Sequence, residues 1–98
     1  MTPSSTLRFE REEADGRGRL LAIGEAGVAE LTYRIEGDRL IATHTGVPPS
    51  MEGRGVGTAL IERLYELVTE RGLKVVPACS FVRVKMGRRP EWRAVLAA

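Results

Sequence analysis

Val47-Pro48-Pro49-Ser50-Met51-Glu52-Gly53-Arg54-Gly55-Val56-Gly57-Thr58 is the stretch on which the fold turns. Before it, apolar residues alternate with a period of two. After it, they recur at helical spacing. The stretch therefore joins a strand to a helix. Its three glycines stand at alternate positions, so the backbone can approach a bulky anion without side-chain clash. The helix start adds free N–H groups and the positive end of the helix dipole. Together these make a phosphate cradle. Two familiar cradles are excluded. The loop has no lysine, which the triphosphatase phosphate loop needs, and Thr58 stands where a dinucleotide fingerprint needs glycine. On the loop alone, a tight glycine-rich turn remains open.

Working back towards the N-terminus, Ala29, Leu31, Tyr33 and Ile35 alternate with Glu30, Thr32 and Arg34, as in a half-buried strand. Leu7 and Phe9 point one way with Arg8 and Glu10 the other, Arg19 to Ile23 is a short apolar run, and Arg39 to Thr45 reads as a central strand with two fairly apolar faces. Glu25-Ala26-Gly27 and Glu36-Gly37-Asp38 read as hairpin turns. Working forward, Val56, Leu60, Leu64, Leu67 and Val68 share a helical face, which predicts a helix from Gly55 to Arg71 capped by Gly72. Leu73 to Val76 then reads as a buried strand stopped by Pro77. Ser80 to Arg88 reads as a second helix, and Glu91 to Leu96 as a short third with Pro90 at its start. The fold class is α+β: an antiparallel meander of three to four strands, then a helix, a parallel strand and C-terminal helices. The crossover places the last strand parallel to the one before the helix. Residues 1–6, Gly16-Arg17-Gly18 and the last few residues are expected to be flexible.

Ninety-eight residues make a single domain, 1–98, with 43% hydrophobic and 29% charged residues. The longest apolar run is Ala94 to Ala98, which is too short to span a membrane. Met1-Thr2-Pro3-Ser4-Ser5 has neither the basic start nor the apolar stretch of a signal peptide. One cysteine excludes an internal disulfide, and one cysteine with one histidine argues against a metal site. A reducing, cytoplasmic location is expected. The net charge of +2 is too balanced for general nucleic-acid binding. That charge is uneven: residues 1–50 carry six Arg and Lys against eight Asp and Glu, and residues 51–98 carry nine against five. The densest segment, Arg83 to Arg93, reads either as a solvated helix face or as part of an anion site.

The spacing of Val47, Pro49, Gly53, Gly55 and Gly57 resembles the coenzyme A segment of the Gcn5-related N-acetyltransferases (GNAT), Val-x-Pro-x-x-(Arg or Gln)-Gly-x-Gly-x-(Gly or Ala). Glu52 departs from that pattern, standing where the family has Arg or Gln. His44-Thr45-Gly46-Val47-Pro48, Gly72 to Val82, and Arg88-Arg89-Pro90-Glu91-Trp92 resemble a small, truncated branch of the same family. The resemblance covers roughly Ala29 to Val95. It implies a truncated GNAT fold in which Arg39 to Val47 and Leu73 to Pro77 splay apart around the pantetheine arm. It implies that the pyrophosphate rests on Glu52, Gly53, Arg54, Gly55, Val56, Gly57 and Thr58, with Val47 beside the arm. Arg54 or the Arg83 to Arg89 cluster, Arg83 foremost, would meet the adenosine 3′-phosphate. The implied activity is an acetyl-CoA-dependent N-acetyltransferase acting on an amine, either a protein or a small molecule. The alternative is a coenzyme A or acyl-CoA binding module with little turnover. Acetyl-CoA is the expected cosubstrate, with no metal, no nucleic acid and no membrane, and the chain is expected to be a monomer or weak dimer.

Two residues are candidates for chemistry. Cys79 follows the parallel strand, and in the resembled branch a cysteine in this Pro-x-Cys context lies close to the acetyl group. The helix starting at Ser80 would favour its thiolate. Cys79 either accepts the acetyl group or lines the site while the amine attacks directly. His44 is either a packing histidine or the base that takes the amine's proton, for which an ordinary histidine pKa of about 6.5 is suited. Many family members use a tyrosine near the position of Lys85 to protonate the leaving thiolate. Here that acid is missing, replaced by Lys85, or unnecessary, because a thiolate leaves readily.

Overall fold

A computed structural model describes residues 7–97. Residues 1–6 and Ala98, which cover the N-terminal leader reading and the expected flexible ends, lie outside the described residues. The chain runs β1 (Arg8–Ala14), β2 (Arg17–Gly24), β3 (Gly27–Glu36), β4 (Arg39–Gly46), a 3-10 turn (Pro49–Met51), α1 (Val56–Arg71), β5 (Lys74–Pro77), α2 (Ser80–Met86) and α3 (Pro90–Arg93). The five strands form one sheet in chain order. The first four pair antiparallel, and β5 pairs parallel with β4 from Arg39↔Lys74 to Ala42↔Pro77. This is the expected mixed sheet, with β4 central between β3 and β5.

The hairpins follow from local chemistry. Asp15 and Gly16 have φ of 56° and 75°, both left-handed, as a two-residue turn between right-twisted strands requires. The expected flexibility of Gly16-Arg17-Gly18 is therefore corrected. Arg17 and Gly18 belong to β2, paired with Arg34 and Tyr33. Gly18 is bare because the Tyr33 ring crosses it. A Cβ there would come within 2.6 Å of Tyr33 Cζ and Oη.

Leu20, Ala22, Ala29, Leu31, Tyr33, Leu40 and Ala42 form the inner face of the sheet and are buried. Val56, Leu60, Ile61, Leu64, Leu67 and Val68 of α1 cover that face, together with Val82 and Met86 of α2 and Trp92 of α3. α1 ends at Gly72, whose φ of 68° lets its N–H return to Thr69 and Val68 carbonyls. After α3 the chain returns to the sheet, where Leu96 bridges Val75 in parallel. At the far end of the sheet, the Tyr33 hydroxyl donates to Glu13 Oε1 at 2.7 Å, and Arg71 Nη1 holds both carboxylate oxygens of Glu13 at 3.0–3.1 Å. This network ties β1, β3 and α1 together.

The other face of the sheet carries Arg19, Glu30, Thr32, Arg34 and Ile41. Arg19 bridges Glu12 and Glu30 across three strands. β4 departs from the expected apolar strand here. A bulge interrupts its pairing with β3 between Tyr33↔Ala42 and Thr32↔His44, so Thr43 is inserted. Thr43 Oγ1 then meets Thr32 Oγ1 at 2.9 Å on the outer face. None of the described helices is long and apolar enough to cross a membrane.

Candidate active site

β5 ends at Pro77, but β4 continues to Gly46. Beyond Ala42, therefore, the β4 edge that faces β5 has no strand beside it. Ala42 itself marks the end of contact, its carbonyl accepting the Cys79 N–H at 3.0 Å. The parallel pair thus parts where the resemblance implied a splay.

A cleft of about 460 Å³ opens at this parting. Thr45 and Val47 line it from β4 and its extension, the loop and the start of α1 line it from Met51 to Thr58 with the exception of Arg54, and Phe81 and Lys85 line it from α2. The loop is shaped by two left-handed glycines, Gly53 (φ 78°) and Gly55 (φ 75°), with open space where their Cβ atoms would be. Gly55 caps α1 without any side-chain cap, and the first turn has no acidic residue. The first helical bond is from Ala59 N–H to the Gly55 carbonyl at 3.0 Å. The N–H groups of Gly55, Val56, Gly57 and Thr58 precede it, and among the described residues none has a backbone acceptor. Alternating left-handed residues leading into such a helix end form a concave set of donors suited to an anion.

Cys79 is not among the residues lining the cleft; it is half-buried at the N-cap of α2, beside the cleft-lining Thr45. Its Sγ lies 3.7 Å from Thr45 Oγ1. Burial pushes the thiol up, but the Val82 N–H, the Thr45 hydroxyl, the Phe81 N–H and the Thr45 backbone together outweigh it. The thiol is held below its ordinary value.

Of the candidates read from sequence, Val47, Glu52, Gly53, Gly55, Val56, Gly57 and Thr58 line one cleft. Arg54 and Arg83 do not line it, and both are exposed. Cys79 and His44 are not brought together. Thr45 pairs with buried Leu31 on the helix-covered face, whereas His44 pairs with Thr32 on the outer face. The His44 ring is exposed there beside Gly46, its Nε2 3.3 Å from the point a Cβ of Gly46 would occupy.

Sequence reasoning missed Phe81 and Thr45, and it placed Lys85 only as a substitute acid. The signal for Phe81 and Lys85 was their i,i+4 spacing, a stripe adjoining the buried Val82 and Met86 pair. The Phe81 ring lies over the start of α1, so a Cβ on Gly57 would approach its Cζ to 2.5 Å. A separate groove of about 310 Å³ between β1, β2 and α1 is lined by Phe9, Leu20, Leu21, Arg63 and Glu66. It holds no nucleophile, and Arg63 is stacked on Phe9 at 4.2 Å.

The family model described as GCN5-related N-acetyl-transferase matches residues 19–95. The chain belongs to that family. Among solved structures, it is similar to a GCN5-like protein from Staphylococcus aureus determined by NMR in solution. The two share 26% sequence identity with a TM-score of 0.67, over 91% of this chain and 88% of the other. In this GNAT domain, the glycine loop and the start of α1 correspond to the segment singled out by the Val47 to Gly57 spacing.

Proposed function

We propose that the domain transfers an acetyl group from acetyl-CoA to an amine, with the cleft between β4 and α2 holding the coenzyme. The observation that carries this reading is the row of uncommitted N–H groups from Gly55 to Thr58, opening into the same cleft that Thr45 and Val47 line. The donors take the pyrophosphate. The free edge of β4 beyond Ala42 supplies backbone partners to the pantetheine arm, which brings the thioester towards Thr45 and Cys79.

Two routes use the same geometry. In the direct route, a neutral amine attacks the thioester carbonyl, the C–S bond breaks and coenzyme A leaves as thiolate. The amine's proton goes to a base. That base is water: His44 stands on the outer face, whereas Thr45, towards which the thioester points, stands on the helix-covered face. In the cysteine-assisted route, the Cys79 thiolate attacks first, forming an S-acetyl bond and releasing coenzyme A. The amine then attacks the S-acetyl carbonyl, the C–S bond breaks to regenerate the thiolate, and the amine's proton passes to water. The lowered thiol of Cys79 favours the second route, because more of it is thiolate at neutral pH.

The test is acetyl transfer to a panel of amines, followed by thiol release, alongside intact-protein mass spectrometry after mixing with acetyl-CoA. The proposal expects thiol release that depends on the amine, and an acetyl adduct that is absent in Cys79→Ala if the assisted route operates. Turnover unchanged in Cys79→Ala reduces that residue to lining the site. No amine-dependent thiol release with any acceptor refutes the transferase reading.

A further inference from the structure

We infer that Lys85 is the side chain that neutralises the coenzyme's pyrophosphate. This rests on reading the cleft as a coenzyme A site and adds to it a residue and a charge. A pyrophosphate diester brings two negative charges to the loop. The loop itself offers N–H groups but also Glu52, an acidic residue lining the same cleft, whose charge opposes an anion there. Among the cleft-lining residues, Lys85 is the only one that carries positive charge.

The other basic residues near α2 are placed elsewhere. Arg83 is exposed and outside the cleft. Arg89 pairs with Glu62 at 3.5 Å and stacks on Trp92 at 4.1 Å, and Arg93 donates to the Gly87 carbonyl at 3.0 Å. Lys85 makes no ion pair among the described residues.

Position favours the same assignment. Phe81 and Lys85 stand one turn apart on α2, and the Lys85 ammonium lies 5.6 Å from the Phe81 ring centroid. The ring in turn lies against Gly57, at the start of α1. The Lys85 head thus stands by a ring that packs on the first turn of α1, the turn whose N–H groups are free. A flexible ammonium of this kind serves a phosphate as a point charge, alongside donors fixed by the backbone.

The test is calorimetric titration of the full chain, wild type, Lys85→Gln and Lys85→Arg, with coenzyme A, 3′-dephospho-coenzyme A and acetyl-pantetheine. Lys85→Gln is expected to weaken both nucleotides about tenfold and leave acetyl-pantetheine unchanged. Lys85→Arg should stay within about threefold of wild type, because the charge is kept. The weakening should shrink as salt is raised. Wild-type affinity in Lys85→Gln overturns the assignment. A penalty that disappears with the dephospho ligand moves the lysine to the 3′-phosphate and also overturns it, as does a penalty that persists with acetyl-pantetheine. If wild type binds none of the three ligands, the reading of the cleft falls first and the lysine assignment with it.

Discussion

Gly57→Ala tests the geometry of the cleft. Gly57 has an ordinary helical backbone, so alanine there is not excluded by φ. The added Cβ would stand 2.5 Å from Phe81 Cζ and 3.1 Å from Cε2. The ring must retreat by about 0.9 Å to reach ordinary contact at 3.4 Å. Overpacking of this kind costs about 1–3 kcal/mol, and replacing glycine by alanine in a helix returns up to about 1 kcal/mol. The net destabilisation is about 1 kcal/mol, or a fall in Tm of about 4–8 °C for a domain of this size. The effect on ligand binding is larger, because the ring is displaced within the cleft proposed to receive the coenzyme. Calorimetric titration should show acetyl-CoA bound at least about tenfold more weakly, a change of about 1.4 kcal/mol. In the double variant Gly57→Ala/Phe81→Ala the clash is gone while the helix gain remains, so the two changes should be non-additive by the clash itself, about 1–3 kcal/mol in stability. Additive effects, or a Gly57→Ala variant with wild-type Tm and affinity, would refute this placement of Phe81.

Three further outcomes follow from other contacts. Gly18→Ala puts a Cβ 2.6 Å from Tyr33 and 2.8 Å from the Glu12 carbonyl, which is backbone and cannot swing away, so it should destabilise by about 2 kcal/mol or more in a denaturant melt. Glu13→Gln removes a carboxylate held below its ordinary range by hydrogen bonds from Arg71 and then Tyr33. A depressed folded-state value contributes stability above the unfolded carboxylate value and loses it as pH falls through the folded one. The variant should therefore be about 1 kcal/mol less stable at neutral pH, with a gap that closes in acid; a gap independent of pH would contradict the pairing. Thr45→Val removes one of the donors that lower the Cys79 thiol, so the pH midpoint for its alkylation should rise, whereas an unmoved midpoint would mean that the hydroxyl does not reach the sulfur.

Much of this fold was legible because its hydrophobic periods are clean. Leu31, Tyr33 and their neighbours announced β3, and Val56 to Val68 announced α1. The Asp15-Gly16 turn was missed, and Gly16-Arg17-Gly18 was read as slack, because Gly18 is explained only by Tyr33 on the neighbouring strand. The facing of His44 and Thr45 was hidden for a different reason. Alternation assigns faces only while a strand keeps register, and the extra residue Thr43 shifts everything after Ala42. The glycine loop pointed to its own cleft, since Gly53 and Gly55 need the left-handed region whatever surrounds them. The partner wall was harder to read. The helix from Ser80 was read, but its spacing does not say which neighbour it packs on, and only the packed structure brings Phe81 and Lys85 to the cleft and leaves Arg83 outside it.

The central claim is that the loop from Gly53 to Thr58 holds the phosphates of acetyl-CoA. Its most direct measurement is a calorimetric titration of the intact chain with acetyl-CoA. The account predicts saturable binding of one ligand per chain at submillimolar concentration, and no saturable binding in that range would contradict it.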